Sequence, residues 1–471
     1  MILRDYQADT IARCRSAFAA GHRRVVLQAG TGSGKTIMAA AIVQSAVARG
    51  KRVLFTTHRR EIHAQTLDKL RLAGVDAAEL TAGKAVPDAQ VIAASQQTLA
   101  RRTVPQVDLV IIDEAHSGIE QTKRLMEELP NARFILLTAT PARTDGQPLP
   151  ADIIVCGPSV ATLQDQGHLV PVRLYGVESP DLAGIPLARG DYSQGALQSA
   201  YRKTKLVGQI PENYKKLCTG RRTLLFASGI EHSIECRDAL LAAGIRAAHV
   251  DGNTPEAERA KVWEQLRRHE LDVVCNVGVA IEGLDIPEVS AVYLARATTS
   301  VTVYLQAIGR GMRPGGHRDL VVVDAGANVW RHGLVTSERE WNLTERVGNN
   351  RKGEVDALQH CPKCLAVFAP AVACPRCGDV APVQARRPPR QVAGELKEIT
   401  QAELDRREKD KSRKTPPRPC PAWAAAYAAT WRGLEATRYR NGYALGNGDR
   451  YSGWTAAMLW RQIRPPTKRR A

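Results

Sequence analysis

The sequence predicts an α/β chain of two tandem parallel-sheet domains, followed by a small four-cysteine module and a basic C-terminal mini-domain. Three observations predict this. Short apolar runs alternate with helical patterns from the start to about residue 345. Two Cys-x-x-Cys pairs lie close together at 361–377. The last fifth of the chain holds most of the excess positive charge.

The apolar runs are RVVLQA (24–29), RVLFTT (52–57), VDLVIID (107–113) and RFILLTA (133–139), then TLLFAS (223–228), DVVCNV (272–277), AVYLAR (291–296) and DLVVVDA (319–325). Strands buried on both faces read as continuous apolar segments, and helical stretches such as IMAAAIVQSAVARG separate them, as crossover connections require. A gap at about 141–215 divides the strands into two sets. The expected domains are therefore 1–145 and 211–345, joined by a connecting segment at 146–210. A cysteine module follows at 355–380, and the charged, Pro-rich stretch 381–421 reads as a linker. Residues 422–471 form a basic aromatic module in which Trp423, Tyr427, Trp431 and Leu434 share a helical face and pack as a mini-core. Asn441-Gly442 signals a hairpin turn.

Of the 471 residues, 44% are hydrophobic and 24% charged, a balance that buries an ordinary core. The net charge is +18. Residues 381–471 carry 20 Lys+Arg against 8 Asp+Glu, so +12 of that excess sits in the tail, and a nucleic acid is the natural partner. Arg432, Arg438, Arg440 and the final RPPTKRRA are the expected contacts. No run of eighteen apolar residues exists, so no membrane partner is expected. The opening MILRDYQADTIARC lacks the form of a secretory signal, which points to a cytoplasmic location. Six of the ten cysteines are scattered singly, and in a reducing compartment the paired four suggest metal rather than disulfides.

Ala29-Gly30-Thr31-Gly32-Ser33-Gly34-Lys35-Thr36 lies between a predicted strand and a predicted helix, the setting of a phosphate-binding P-loop. Glycines let the backbone curl so that N–H groups and the helix N-terminus face phosphates. Lys35 is expected to reach the β- and γ-phosphates of a nucleotide, and the Thr36 hydroxyl to help hold Mg²⁺; by itself such a site fits a GTPase, a transporter ATPase, a kinase or a helicase. The usual first glycine is Ala29 here. Asp113-Glu114-Ala115-His116 ends another apolar strand, where Asp113 can bind Mg²⁺ through water and Glu114 can take the proton of an attacking water.

These residues resemble the superfamily 2 helicases of the DEAD/DEAH-box type over roughly 1–345, by a series of motifs in order. The resemblance implies two RecA-like motor domains that hydrolyse ATP. Leu3-Arg4-Asp5-Tyr6-Gln7 is similar to the adenine-reading element, with Gln7 as reader. Thr57-His58-Arg59 with Gln65, and Ser95-Gln96-Gln97-Thr98-Leu99, resemble strand-contacting motifs. Thr138-Ala139-Thr140-Pro141 resembles the motif that couples ATP state to strand handling. Phe226-Ala227-Ser228 and His249-Val250-Asp251-Gly252 continue the series. Glu282-Gly283-Leu284-Asp285-Ile286-Pro287 resembles the motif bridging nucleotide and nucleic acid, with Gly283 and Asp285 on the nucleotide side. Gln306-Ala307-Ile308-Gly309-Arg310-Gly311-Met312-Arg313 fits the arginine-bearing motif. Hydrolysis builds charge on the γ-phosphoryl oxygens, and Arg313, with Arg310 beside it, is the expected finger.

The wording of the last two motifs is closest to phage and type III restriction-type motors. That implies action on DNA, as a single strand or branched duplex, with phage or host replication and recombination proteins as further partners. An RNA helicase and a nucleotide-gated DNA clamp are the alternatives. Cys361, Cys364, Cys374 and Cys377 have the spacing of a closed tetrahedral Zn²⁺ site, which is structural rather than catalytic. Lys363 and Arg376 make that knuckle a candidate backbone contact.

Overall fold

A computed structural model describes residues 3–57, 67–68, 70–81, 83–141, 148–176, 187–188, 191–193, 209–280, 286–343, 358–361, 363–380, 450–451 and 454–455. Two compact units divide it at residues 382 and 383. The first holds two separate parallel sheets.

The first sheet grows from the predicted apolar runs. In chain order come α1 (Asp5–Ala19), β1 (Arg24–Gln28), α2 (Lys35–Val47), β2 (Val53–Thr57), β3 (Ala78–Leu80), β4 (Val91–Ser95), α3 (Gln96–Leu99), β5 (Leu109–Ile112), α4 (Ile119–Glu128), β6 (Arg133–Thr138) and β7 (Ile153–Cys156). The strand order is β3-β4-β2-β5-β6-β1-β7, with every pair parallel. Alternate residues serve opposite faces. Val25, Leu27, Phe55, Ile111 and Leu137 pack beneath α1 and α2 with Ile11, Met38 and Val43. Val26, Leu54, Val110, Ile112 and Leu136 pack on the other face against Leu125 and Met126 of α4.

The second sheet repeats the design. Its elements are α5 (Val160–Asp165), β8 (Val172–Gly176), then α6 (Ile210–Leu217), β11 (Arg222–Ala227), α7 (Ile230–Ala242), β12 (Ala247–Val250), α8 (Glu256–Arg267), β13 (Val273–Asn276), β14 (Val289–Ala295), α9 (Val301–Gly309), β15 (Leu320–Asp324) and α10 (Val329–His332). A two-stranded hairpin, β9 (Leu187–Ala188) and β10 (Asp191–Tyr192), lies between β8 and α6 in the chain. The sheet order is β12-β13-β11-β14-β15-β8, all parallel. Leu224, Phe226, Val292 and Leu294 face Val262, Leu266, Tyr304 and Ile308, while Leu225, Tyr293 and Val323 face Tyr214, Cys236 and Leu240.

All eight predicted strands are present. The segment expected to be purely connecting, 146–210, instead supplies an edge strand to each sheet: β7 beside β1 and β8 beside β15. Both are short, and their pairing partners lie far away in sequence, so local pattern could not separate them from a linker.

The cysteine module is a small antiparallel ribbon, β16 (Gln359–His360) with β17 (Val367–Phe368). It is seated on the second sheet: Ala366 bridges to Tyr175 of β8, and Val367 joins the core that contains Leu174 and Val322. Gly176 makes room for it, since a Cβ there would stand 3.1 Å from Val367 Cγ2. Arg376 lies over the Tyr175 ring at 4.5 Å. In the second unit, β18 (Arg450–Tyr451) pairs antiparallel with β19 (Trp454–Thr455). The linker, the Trp423–Leu434 stripe, Asn441-Gly442 and the basic tail contacts lie outside the described residues. Among the described residues, no helix is long and apolar enough to cross a membrane.

Candidate functional site

The loop from Ala29 to Thr36 leaves the buried end of β1 and enters α2. Gly32 and Gly34 have φ of +86° and +83°, which side-chain-bearing residues adopt only at a cost. Ser33 closes the curl, its N–H (3.2 Å) and Oγ (2.7 Å) both donating to the Gly30 carbonyl. Lys35 is half-buried, with Nζ donating to the Ala29 carbonyl at 3.3 Å. Burial pushes its pKa below the usual ammonium range, opposed by the carboxylates of Glu114 and Asp113. Thr36 is half-buried in the first turn of α2. A curled backbone at a helix N-terminus with a desolvated cation inside can hold a polyphosphate.

Gln7 was expected to read a base. Here its amide is engaged at both ends: Oε1 accepts from Arg4 N–H at 3.0 Å and Nε2 donates to the Ser33 carbonyl at 3.1 Å. Tyr6 donates its hydroxyl to the same carbonyl at 2.9 Å and packs against His168, ring centroids 5.2 Å apart. The Gln7 side chain thus reports the shape of the glycine loop, and a Cβ at Gly34 would sit 2.5 Å from its nitrogen.

Asp113 and Glu114 follow β5. The Asp113 N–H donates to the Thr56 carbonyl at 2.9 Å, and Asp113 Oδ1 accepts from Glu114 N–H at 3.0 Å. Glu114 has φ of +47°, a left-handed conformation that costs a non-glycine residue about 1 kcal/mol or more and occurs mostly where function demands it. His116 Nδ1 lies 3.2 Å from Thr138 Oγ1 and 3.5 Å from Glu114 Oε2. Thr138 Oγ1 also donates to the Thr140 carbonyl at 2.9 Å, so the Thr138–Thr140 turn is tied to the acidic loop.

The second sheet closes on this cluster through α9. Gln306 Nε2 donates to Glu114 Oε2 at 3.4 Å and lies 3.4 Å from His116 Nε2. Gly309 approaches the glycine loop so closely that a Cβ on it would stand 2.4 Å from Thr31 Cβ. A Cβ on Gly32 would meet Arg313 Cγ at 3.3 Å. Arg310 is buried, and both Arg310 and Arg313 are near enough to depress the Lys35 pKa further. Lys35, Asp113, Glu114, Arg310 and Arg313 therefore form one cluster. The sequence singled out each of them, but the Gln306 bridge and the Gly309 approach were not visible in it.

Other expected contacts turn inward. Ser95 caps α3, accepting from Thr98 N–H at 3.1 Å, and Ser95, Gln96, Thr98 and Leu99 are buried, which leaves Gln97 exposed. Thr57 and Ser228 are buried, and Ser228 Oγ pairs with His232 Nδ1 at 2.8 Å. His249 Nδ1 lies 2.7 Å from Ser233 Oγ. Asp251 caps the following turn by accepting from Asn253 and Thr254 N–H. His58, Arg59, Gln65, Glu282, Gly283, Leu284 and Asp285 lie outside the described residues.

The four paired cysteines converge. Cys361 and Cys377 sulfurs are 3.6 Å apart, Cys364 and Cys374 sulfurs 3.7 Å, and all four lie within 4.8 Å of one another. A tetrahedral zinc thiolate site, with Zn–S near 2.3 Å, requires S–S separations of about 3.8 Å. The sulfur positions fit such an ion. Leu365 N–H donates to the Cys361 carbonyl and Gly378 N–H to the Cys374 carbonyl, the paired knuckle turns that present each thiolate couple.

Fold and site together define a P-loop chain with two RecA-like sheets, the second carrying arginines to the first. Residues 1–143 match the family described as "Type III restriction enzyme, res subunit", and 207–315 match "Helicase conserved C-terminal domain". A "51.5 kDa protein" of Lactococcus phage (isolate 7-9) is 30% identical over 351 residues, 73% of this chain and 75% of the phage protein. The "Putative ATP-dependent helicase IRC3" of Saccharomyces cerevisiae is 28% identical over 340 residues, 66% of this chain but only 49% of the yeast protein. The structure described as "ATP-dependent Type ISP restriction-modification enzyme LlaBIII bound to DNA" aligns with a TM-score of 0.50 at 16% identity, covering 69% of this chain and 28% of that one. The last is a likeness of fold alone. The chain belongs to the superfamily 2 helicases, with the character of the restriction-enzyme res motors.

Proposed function

We propose that this chain is an ATP-dependent DNA helicase or translocase whose hydrolysis step is assembled by closure of the second sheet on the first. The observation that carries the reading is the bridge from Gln306 to Glu114 and His116, made while Arg313 packs against Gly32 of the glycine loop and Arg310 lies within electrostatic reach of Lys35. In this reading the glycine loop and Lys35 hold the β- and γ-phosphates. Glu114 takes the proton of the attacking water, and Gln306 orients its carboxylate. Arg313, with Arg310 beside it, meets the charge that develops on the γ-phosphoryl oxygens. Thr36 and Asp113 would hold Mg²⁺, which supplies charge neutralisation across those oxygens when bound. Opening the sheets withdraws Gln306 and both arginines together, so each hydrolysis is tied to one cycle of domain movement. The motor domains are taken as 1–145 and 211–345, with β7 and β8 as added edge strands.

DNA is the favoured track because the chain has restriction-type character. Cys361, Cys364, Cys374 and Cys377 would hold Zn²⁺, which when bound supplies the cross-links that so short a ribbon needs to stay folded. ATP turnover measured side by side with single-stranded DNA, duplex DNA, R-loops and RNA tests the proposal. Strong stimulation by DNA is expected. Stimulation by RNA alone would transfer the activity to RNA, and absence of turnover with every polymer would overturn the motor reading.

A further inference from the structure

The β9–β10 hairpin belongs to neither sheet, yet one of its side chains makes a dense set of polar contacts with the second. Asp191 Oδ2 accepts from Arg296 Nη2 and from Thr298 Oγ1, each at 2.7 Å. Its Oδ1 accepts from Thr299 N–H at 2.7 Å and Thr299 Oγ1 at 3.1 Å. All four donors belong to the loop that carries the chain from β14 into α9. That loop is held equally tightly from behind. Asn328 Oδ1 accepts from Thr298 N–H at 2.7 Å, and its Nδ2 donates to the Arg296 carbonyl at 2.9 Å and to Asp324 Oδ1 at 2.8 Å. His332 Nε2 lies 2.8 Å from the Thr298 carbonyl. Ser300, whose N–H donates to Thr298 Oγ1 at 3.0 Å, then caps α9 by accepting from Val303 N–H at 3.3 Å.

The far end of α9 carries Gln306 and Gly309, with Arg310 and Arg313 just beyond. A nine-residue helix is about 13 Å long, so a tilt of about 5° at its start moves its far end by about 1 Å. A misplacement of that size can cost about 10²-fold in rate. We infer that Asp191 is a positioning residue for turnover: it clasps the 296–300 loop so that α9 delivers Gln306 and the arginines in register with Glu114 and the glycine loop. A segment inserted between the two sheets in the chain thereby sets how the second closes on the first. The inference rests on the motor reading above.

The test uses full-length Asp191→Ala and Asp191→Asn, with ATP as the probe and saturating single-stranded DNA. Asp191→Asn keeps one acceptor oxygen and guards against a variant that fails to fold. The expected result is a stimulated kcat lowered by about 10- to 100-fold in Asp191→Ala, with an intermediate loss in Asp191→Asn and nucleotide KM within about two-fold of wild type. In an Arg313→Ala background the same substitution should cost less than it does alone, because the misplacement of Arg313 no longer adds to that of Gln306 and Arg310. Equal kcat, or losses that simply multiply in the double variant, would overturn the clasp. A wild type without turnover would instead overturn the motor reading. In that case hydrogen exchange over 298–309 still decides for the clasp, which predicts lost protection in Asp191→Ala and is overturned by unchanged protection.

Discussion

Gly309→Ala separates closure of the two sheets from stability of either. The added methyl carbon would stand 2.4 Å from Thr31 Cβ, 2.8 Å from its Cγ2 and 2.9 Å from its Oγ1. Carbon atoms settle at about 3.5–4.0 Å, so the helix end must retreat from the glycine loop by about 1 Å. Neither side yields easily: one contact is helix backbone and the other is the first curl of a loop pinned by Ser33 and Gly34. A retreat of about 1 Å carries Gln306 and the arginines with it and should lower stimulated ATPase by about 10²-fold. Within the second domain the same change should matter little, since Gly309 ends α9 without needing a left-handed backbone. The assay is steady-state ATPase with saturating DNA, paired with nucleotide affinity and a thermal melt. Reduced turnover with a nearly unchanged melting temperature is expected. Wild-type turnover would refute the close approach as a functional contact.

Lys35→Ala and Glu114→Gln should each abolish turnover. A nucleotide-binding titration should show binding lost in the first and kept in the second, because only the first removes the cation of the glycine loop. Arg313→Ala should keep nucleotide affinity and lower stimulated turnover by about 10³-fold, and an unchanged rate would shift the finger role to Arg310. Cys361→Ser with Cys374→Ser should lose one zinc per chain by metal analysis. Because Val367 sits in the core of the second sheet, melting of that domain should also fall; retained zinc would refute the site. Burial lowers the His332 pKa to about 4, below its unfolded value near 6.5. The stability it confers is present above about pH 6.5 and is lost as pH falls toward 4. His332→Gln should therefore melt with a weaker acid dependence, by about 2 kcal/mol between pH 7 and pH 5, and parallel curves would refute that assignment. Asp324, raised to about 6 by burial, pulls the opposite way in both proteins and cancels in the comparison.

Much of this molecule was legible one residue at a time. A doubly buried strand must be an unbroken apolar run, so RVVLQA or RFILLTA announces itself without its neighbours. A glycine loop between strand and helix depends on local backbone freedom, which is why Ala29–Thr36 could be read directly. Two Cys-x-x-Cys turns carry their own chelate geometry. Tertiary structure alone decided what those local pieces meet. β7 and β8 are short runs that gain meaning only as edges beside β1 and β15. Gln7, read as facing a base, also ties Arg4 to the Ser33 carbonyl of the glycine loop. Gln306 meets Glu114 across 192 residues of sequence, and Gly309 matters because of where Thr31 lies. Such contacts arise from the packing of one finished sheet against another. Propensity and periodicity act over a few residues and carry no information about that distance.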